Sequence, residues 1–239
     1  MQRLPGVESL LTWGMRAGAQ RLTTWRVEVA IEGQDHLPLL GPAVLACRHY
    51  HHFWDGCVLL GCLPRPIAAV VGLDWLRSRW LRWVVEGCCR AARWPVVLRA
   101  DGPVLRRGVS AYRPAEIPHY LRRAFGDVGE LLRAGRVVVC FPEGYPTVDP
   151  HGSMKATDET LLPFRGGFAR FVLHAQRNGL ARVPIVPVGF VYQGGPRWRI
   201  TLCFGPPLFL DRTADCAAVV QQVEAEVRRL SRLDGAGAV

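Results

Sequence analysis

Val137-Val138-Val139-Cys140-Phe141-Pro142-Glu143-Gly144 is an apolar run that stops at a proline, a carboxylate and a glycine. Consecutive β-favouring residues suit a strand covered on both faces, and proline, with no N–H for the ladder, ends it. Gly144 lets the backbone bend close to a ligand. A carboxylate at the carboxyl end of a buried strand lies where open α/β sheets place their binding crevice.

The same alternation repeats on either side. Val27 to Ile31, Ala43 to Cys47, Ile67 to Val71, Pro95 to Leu98, Pro184 to Tyr192 and Trp198 to Phe204 read as strands, and Gly205-Pro206-Pro207 closes the sheet. Helices are expected over Phe53 to Gly61, Trp75 to Ala92, His119 to Arg133 and Gly167 to Asn178, with Gly135 as a stop for the third. A last helix runs to Leu233, capped by Asp211 or Thr213. Asp101 to Pro118 is the least structured stretch, and Tyr145 to Pro163 is a long loop of the kind that often carries function.

The expected fold is α/β: one domain over residues 27–239, with a mixed, mostly parallel sheet of about seven strands and helices on both faces. Residues 1–26 form an N-terminal amphipathic arm, with Leu11, Met15, Leu22, Trp13 and Trp25 set among arginines. With 239 residues, 49% of them hydrophobic, the chain can bury a substantial core, and no linker or repeat divides it.

The eight cysteines sit mostly inside apolar runs and form no CxxC, which reads as free thiols in a reducing compartment. The N-terminus lacks the basic, apolar, small-residue order of a cleaved signal peptide. No uncharged run reaches the roughly 18 residues that span a bilayer, since the longest, Val183 to Pro196, has 14. Any membrane contact is therefore expected to be peripheral.

The net charge of +10 points to an acidic partner, though Lys155 is the one lysine and the rest of the excess is arginine. Nine arginines between Arg65 and Arg107 are interleaved with Trp75, Trp80, Trp83 and Trp94. Such a face suits a lipid interface or stacked single-stranded nucleic acid, but no nucleic-acid motif accompanies it.

Arg48-His49-Tyr50-His51-His52-Phe53-Trp54-Asp55 follows the Ala43 to Cys47 strand directly. A histidine whose second ring nitrogen is held by a carboxylate is fixed in the tautomer that serves as a general base. His49 precedes Asp55 by six positions, whereas His51 and Asp55 are four apart and would share a helix face, so either can be the base. The Asp-His pair of a His-x-His-x-Asp-His metal motif is missing, and no metal site is expected.

In this order the motifs resemble the glycerolipid acyltransferase superfamily, typified by lysophosphatidate acyltransferases. Phe141-Pro142-Glu143-Gly144 and Val183-Pro184-Ile185-Val186-Pro187-Val188 match family blocks directly, and Phe164-Arg165-Gly166-Gly167 matches a Phe-Lys-x-Gly-type turn. Val97-Leu98-Arg99 fits a strand-then-arginine block. The resemblance covers about Val27 to Leu210.

It implies that His49, or His51, removes a proton from an acceptor hydroxyl, supported by Asp55, and that the oxygen attacks an acyl thioester of coenzyme A or acyl carrier protein. No acyl-enzyme, metal or resident cofactor is implied. Arg99 would hold an acceptor phosphate, while Phe141, Pro142, Glu143, Gly144, Arg165 and Gly166 would shape the acceptor site. A backbone N–H near Gly144 would stabilise the oxyanion. Trp13, Trp25, Trp75, Trp80 and Trp83 would hold the protein on anionic lipid at the cytoplasmic face of a membrane.

The chain departs from the family at Arg48, where asparagine is common, and in two larger respects. The family spaces its histidine and aspartate by four residues, which would place Tyr50 at the base position, and it continues Gly144 with Thr-Arg-Ser where this chain has Tyr145-Pro146-Thr147. The first of these two motivates a catalytically silent lipid-binding protein as the alternative, with a metallo-hydrolase behind it. The second points to an acceptor with another headgroup.

Overall fold

The computed structural model describes residues 5–150, 153–157, 160–180, 182–211 and 215–233, with side chains from residue 10. In chain order the elements are α1 (Pro5–Arg26), β1 (Val27–Glu32), β2 (Ala43–Cys47), α2 (Trp54–Cys62), β3 (Ile67–Ala69), β4 (Val71–Gly72), α3 (Arg79–Ala92), β5 (Val96–Val97) and α4 (Pro103–Arg106). They continue with α5 (Ile117–Arg133), β6 (Val137–Cys140), α6 (Gly167–Arg177), β7 (Pro184–Gln193), β8 (Trp198–Phe204), β9 (Leu208–Phe209) and α7 (Cys216–Leu230).

Seven strands form one mixed sheet in the order β1-β8-β7-β2-β6-β3, with β9 also paired to β7. β2 lies parallel to both β6 and β7, and β8 runs antiparallel to β7. Strand residues alternate between two cores, as a pleat requires. Val44, Ala46, Val138, Cys140 and Ile185 face the core shared with α5, α6 and α7. Leu45, Cys47, Val137, Val139, Val186 and Val188 face α2, where Val58, Leu59 and, just past its end, Leu63 cover them.

The N-terminal arm is a helix docked on the domain. α1 packs along α2 and continues without a break into β1. Arg16 Nη2 donates to Leu63 O at 2.6 Å and Gln20 Nε2 to Gly61 O at 3.1 Å, which fixes the crossing. Residues 1–4 of the expected arm lie outside the described residues.

Five expectations change, the first being that the sheet does not close at Gly205-Pro206-Pro207 but adds β9 after it, antiparallel to β7. The Ile67 to Val71 run splits, because Val70 N–H bonds Val139 O in the main sheet while Val71 N–H turns away to Pro95 O. β4 and β5 therefore form a separate parallel pair, and a satellite core of Leu73, Leu76, Leu98, Leu105, Tyr112 and Tyr120 gathers around it. The helix expected from Trp75 begins at Arg79 behind Ser78, whose hydroxyl accepts from Leu81 N. Asp101 to Pro118 contains α4 and a 3-10 turn over Pro114–Glu116, and the helix after it starts at Ile117 rather than His119. Asp215, not Asp211, caps α7, with its carboxylate accepting from Ala217 N at 2.9 Å, while Thr213 lies outside the described residues.

Candidate active site

β2 and β6 are parallel neighbours with Ala46 opposite Cys140, so the loops leaving their carboxyl ends emerge side by side. This juxtaposition brings the histidine cluster against Phe141-Pro142-Glu143-Gly144. Gly144 N–H closes a turn onto Phe141 O at 3.0 Å, and Gly144 holds φ +78°, a conformation that glycine adopts without a Cβ clash. That N–H is therefore engaged within the turn.

Asp55, fully buried on the first turn of α2, is the centre of the site. Its Oδ2 receives His49 Nδ1 at 2.9 Å, Tyr50 N–H at 2.8 Å and His51 N–H at 3.0 Å. Tyr192, near the end of β7, donates its hydroxyl to Oδ1 at 2.5 Å. Burial, together with the charge of Asp55, pushes the Tyr192 phenol well above its ordinary range and keeps it a donor.

The bond from Nδ1 to Asp55 puts the His49 proton on Nδ1 and leaves Nε2 with its lone pair. The ring is stacked on Phe141 with centroids 4.3 Å apart and keeps 17% of its side-chain surface exposed. His51 is used differently. Its Nδ1 accepts from Phe53 N–H at 3.2 Å and Trp54 N–H at 3.4 Å, so the imidazole caps α2. Burial first, and the neighbouring His52 second, lower its pKa, which suits a neutral ring acting as acceptor. Of the two histidines, His49 makes the carboxylate bond, because the extra loop residue lets the backbone fold over Asp55.

Glu143 was expected to line the acceptor site, but its carboxylate is turned into the protein. Oε1 accepts His49 N–H at 2.7 Å, and Oε2 accepts Leu162 N–H at 3.0 Å and Lys155 Nζ at 2.6 Å. Lys155 also donates to His49 O at 2.6 Å. Both side chains are fully buried. Glu143 and Lys155 thus grip the main chain of His49 from its N–H and its carbonyl, and they position the ring without touching its nitrogens.

On the other side of Gly144 lies an arginine cluster. Arg99 forks onto Asp74, Nε to Oδ1 at 2.8 Å and Nη2 to Oδ2 at 3.0 Å, and donates through Nη1 to Gly144 O. Arg165, whose N–H bonds Pro142 O at 3.1 Å, precedes Gly166 at the start of α6 and pairs with Asp101 at 2.5 Å. Tyr145 lies within cation–π range of both guanidinia, 4.2 Å from Arg99 and 5.4 Å from Arg165.

Trp13 and Trp25 on α1 are 68% and 62% exposed, and Trp80 and Trp83 on α3 are 70% exposed each. Trp75 is less open at 37%, with its indole N–H bonded to Gly72 O at 2.9 Å. Trp94 departs from the expected face and, half-buried, packs against two of the cores. Among the described residues, no three His, Cys, Asp or Glu side chains gather as a metal ion would need, and no helix is long and apolar enough to cross a membrane.

A family model for acyltransferase domains matches residues 28–191, which hold both turns, the dyad, Arg99 and most of β7. The chain belongs to the acyltransferase family. The crystal structure of the 1-acyl-sn-glycerophosphate (LPA) acyltransferase PlsC from Thermotoga maritima is similar to it, with a TM-score of 0.60 and 18% identity. That similarity covers 100% of this chain and 86% of the other, and it shows that the two share a fold. A search of curated protein sequences returns no match.

Sequence reasoning missed three residues of this candidate site. Lys155 carried a signal, as the one lysine of an arginine-rich chain inside the long loop after Glu143. Asp74 was visible only as a lone acid in a basic stretch, and Tyr192 carried no local signal, since strand residues often include tyrosine.

Proposed function

We propose that the protein moves a fatty acyl group from an acyl thioester of coenzyme A or acyl carrier protein to a hydroxyl of a lysophospholipid or related lipid acceptor. The observation that carries this reading is the 2.9 Å bond from His49 Nδ1 to buried Asp55, beside the Phe141 turn. His49 Nε2 takes the proton of the acceptor hydroxyl as its oxygen attacks the thioester carbonyl. The tetrahedral intermediate collapses, the carbon–sulfur bond breaks, and the imidazolium returns the proton to the departing thiolate. The products are an ester and a free thiol, with no acyl-enzyme and no resident cofactor.

Asp55 stabilises the imidazolium and fixes its tautomer. The dyad also supports an active enzyme over a silent lipid-binding protein, because the unusual spacing that motivates the silent reading still brings the two groups into contact. The exposed tryptophans of α1 and α3, with the exposed arginines near them, support a peripheral position on anionic lipid at the cytoplasmic face of a membrane.

The test is thiol release from an acyl thioester with and without a lysolipid, the products being identified by mass spectrometry. Release should depend on the acceptor. His49→Ala should lower it by about 10²- to 10⁴-fold, the usual contribution of a general base. Full activity in that variant would remove His49 from the mechanism.

A further inference from the structure

We infer that the preferred acceptor is a lysolipid whose headgroup carries no terminal phosphate dianion, and that Tyr145 is the residue that disfavours one. The inference rests on the acyl-transfer reading and narrows its acceptor.

The edge of Arg99 that would match a phosphate is already used. Nε and Nη2 are forked onto Asp74, Nη1 bonds Gly144 O, and the ring of Tyr145 lies 4.2 Å from the guanidinium carbon. Asp74 is fully buried and also accepts Arg99 N–H at 3.2 Å. A phosphate that took the fork would leave this carboxylate buried without its counter-charge, which is strongly unfavourable.

Arg165 is the second cation, and Asp101 neutralises it at 2.5 Å. Two arginines thus meet two aspartates, and the cluster has no net positive charge to offer a dianion. Tyr145 completes the arrangement. Buried beside both guanidinia, its ring fills space that a smaller side chain such as threonine would leave open. Its buried hydroxyl has no hydrogen-bond partner among the described residues. A neutral or zwitterionic headgroup needs no unpaired cation here.

The experiment compares kcat/KM for lysophosphatidate with that for lysophosphatidylcholine, monoacylglycerol and a lysoglycolipid, using the full chain and one acyl thioester. At least one of the latter three should be preferred over lysophosphatidate by about tenfold or more, the value of one lost charge-assisted hydrogen bond. Tyr145→Thr should raise the relative use of lysophosphatidate by a similar factor, while Tyr145→Phe, which keeps the ring, should leave lysophosphatidate a poor acceptor. Each ratio is taken within one preparation, so partial misfolding of a variant does not move it.

A wild-type preference for lysophosphatidate, or a ratio unmoved by Tyr145→Thr, overturns the inference and leaves acyl transfer standing. Should Tyr145→Thr fail to fold, the wild-type ranking decides. Transfer to none of the acceptors overturns the acyl-transfer reading, and the inference with it.

Discussion

Lys155 has its ammonium shared between Glu143 Oε2 and His49 O, each at 2.6 Å. Burial pulls its pKa below the ordinary lysine range, against the opposing pull of Glu143. A buried pair of this kind adds little net stability while intact, but removing one partner strands the other charge. Lys155→Met should therefore cost ~3–5 kcal/mol of folding free energy, read from urea denaturation, whereas a neutral Lys155→Met/Glu143→Gln pair should recover part of it, since the amide keeps only one of the two acceptor oxygens that His49 N–H and Leu162 N–H use. If the double variant is no more stable than the single, the charge argument fails. His51 sets a contrast within the same loop, because its ring caps α2 rather than facing the reaction. His51→Ala should lower stability by ~1 kcal/mol, the cost of a lost cap, and reduce transfer far less than His49→Ala. Equal losses of activity in the two variants would return His51 to candidacy as the base.

At the scale of elements, the satellite around β4 and β5 is held by Arg82 on α3. Its guanidinium binds Glu86 at 3.0 Å, Glu116 at 2.7 Å and the hydroxyl of Tyr120 on α5 at 3.1 Å. Burial alone would raise Glu86, but hydrogen bonds from Tyr120 and Arg82 outweigh it, and Glu116 is lowered chiefly by its bond to Arg82. Both carboxylates thus titrate below the ordinary glutamate value of 4.5, so the stability they add is present above that pH and is lost as pH falls through their folded-state values. Thermal melting should fall below pH 4.5, and Arg82→Met should lower the neutral Tm while flattening this acid limb. An acid limb unchanged in the variant would place the loss in other carboxylates. The satellite also marks where the sequence stops being informative. β2, β6 and β7 were legible because strands buried on both faces are written as apolar runs, and Pro142 announced the end of one. The split of Ile67 to Val71 was not, since Val70 and Val71 are alike and only their partners, Val139 and Pro95, send them to different sheets. The dyad was legible from local order, although the choice between His49 and His51 needed the loop's path. The contacts made by Lys155 and Tyr192 span 106 and 137 positions, beyond any local pattern.

For the whole molecule, the question is which surface meets the lipid that the proposed reaction requires. α1 and α3 touch, and each presents a pair of tryptophans to solvent. Trp80 and Trp83 are three positions apart and so share a helix face, beside Leu81 and the exposed Arg77 and Arg79. On α1, Trp25 lies 4.1 Å from the Arg26 guanidinium, and Leu10 is exposed near Trp13. Indole rings and arginines both favour the headgroup layer, the former by apolar burial and the latter by attraction to anionic lipid. Those two contributions separate experimentally, because salt weakens the second and leaves the first. Replacing Trp80 and Trp83 together with alanine should lower vesicle affinity ~10- to 100-fold at every salt concentration, on the scale of partly burying two aromatic side chains. Arg77→Gln/Arg79→Gln should weaken binding to anionic vesicles at low salt and lose its effect at high salt or on neutral lipid. Co-sedimentation with vesicles of both kinds, paired with the blue shift of tryptophan fluorescence, reads both effects. Unchanged binding in the Trp80/Trp83 variant would move the lipid-facing surface away from α3, leaving α1 to be tested by Trp13→Ala/Trp25→Ala.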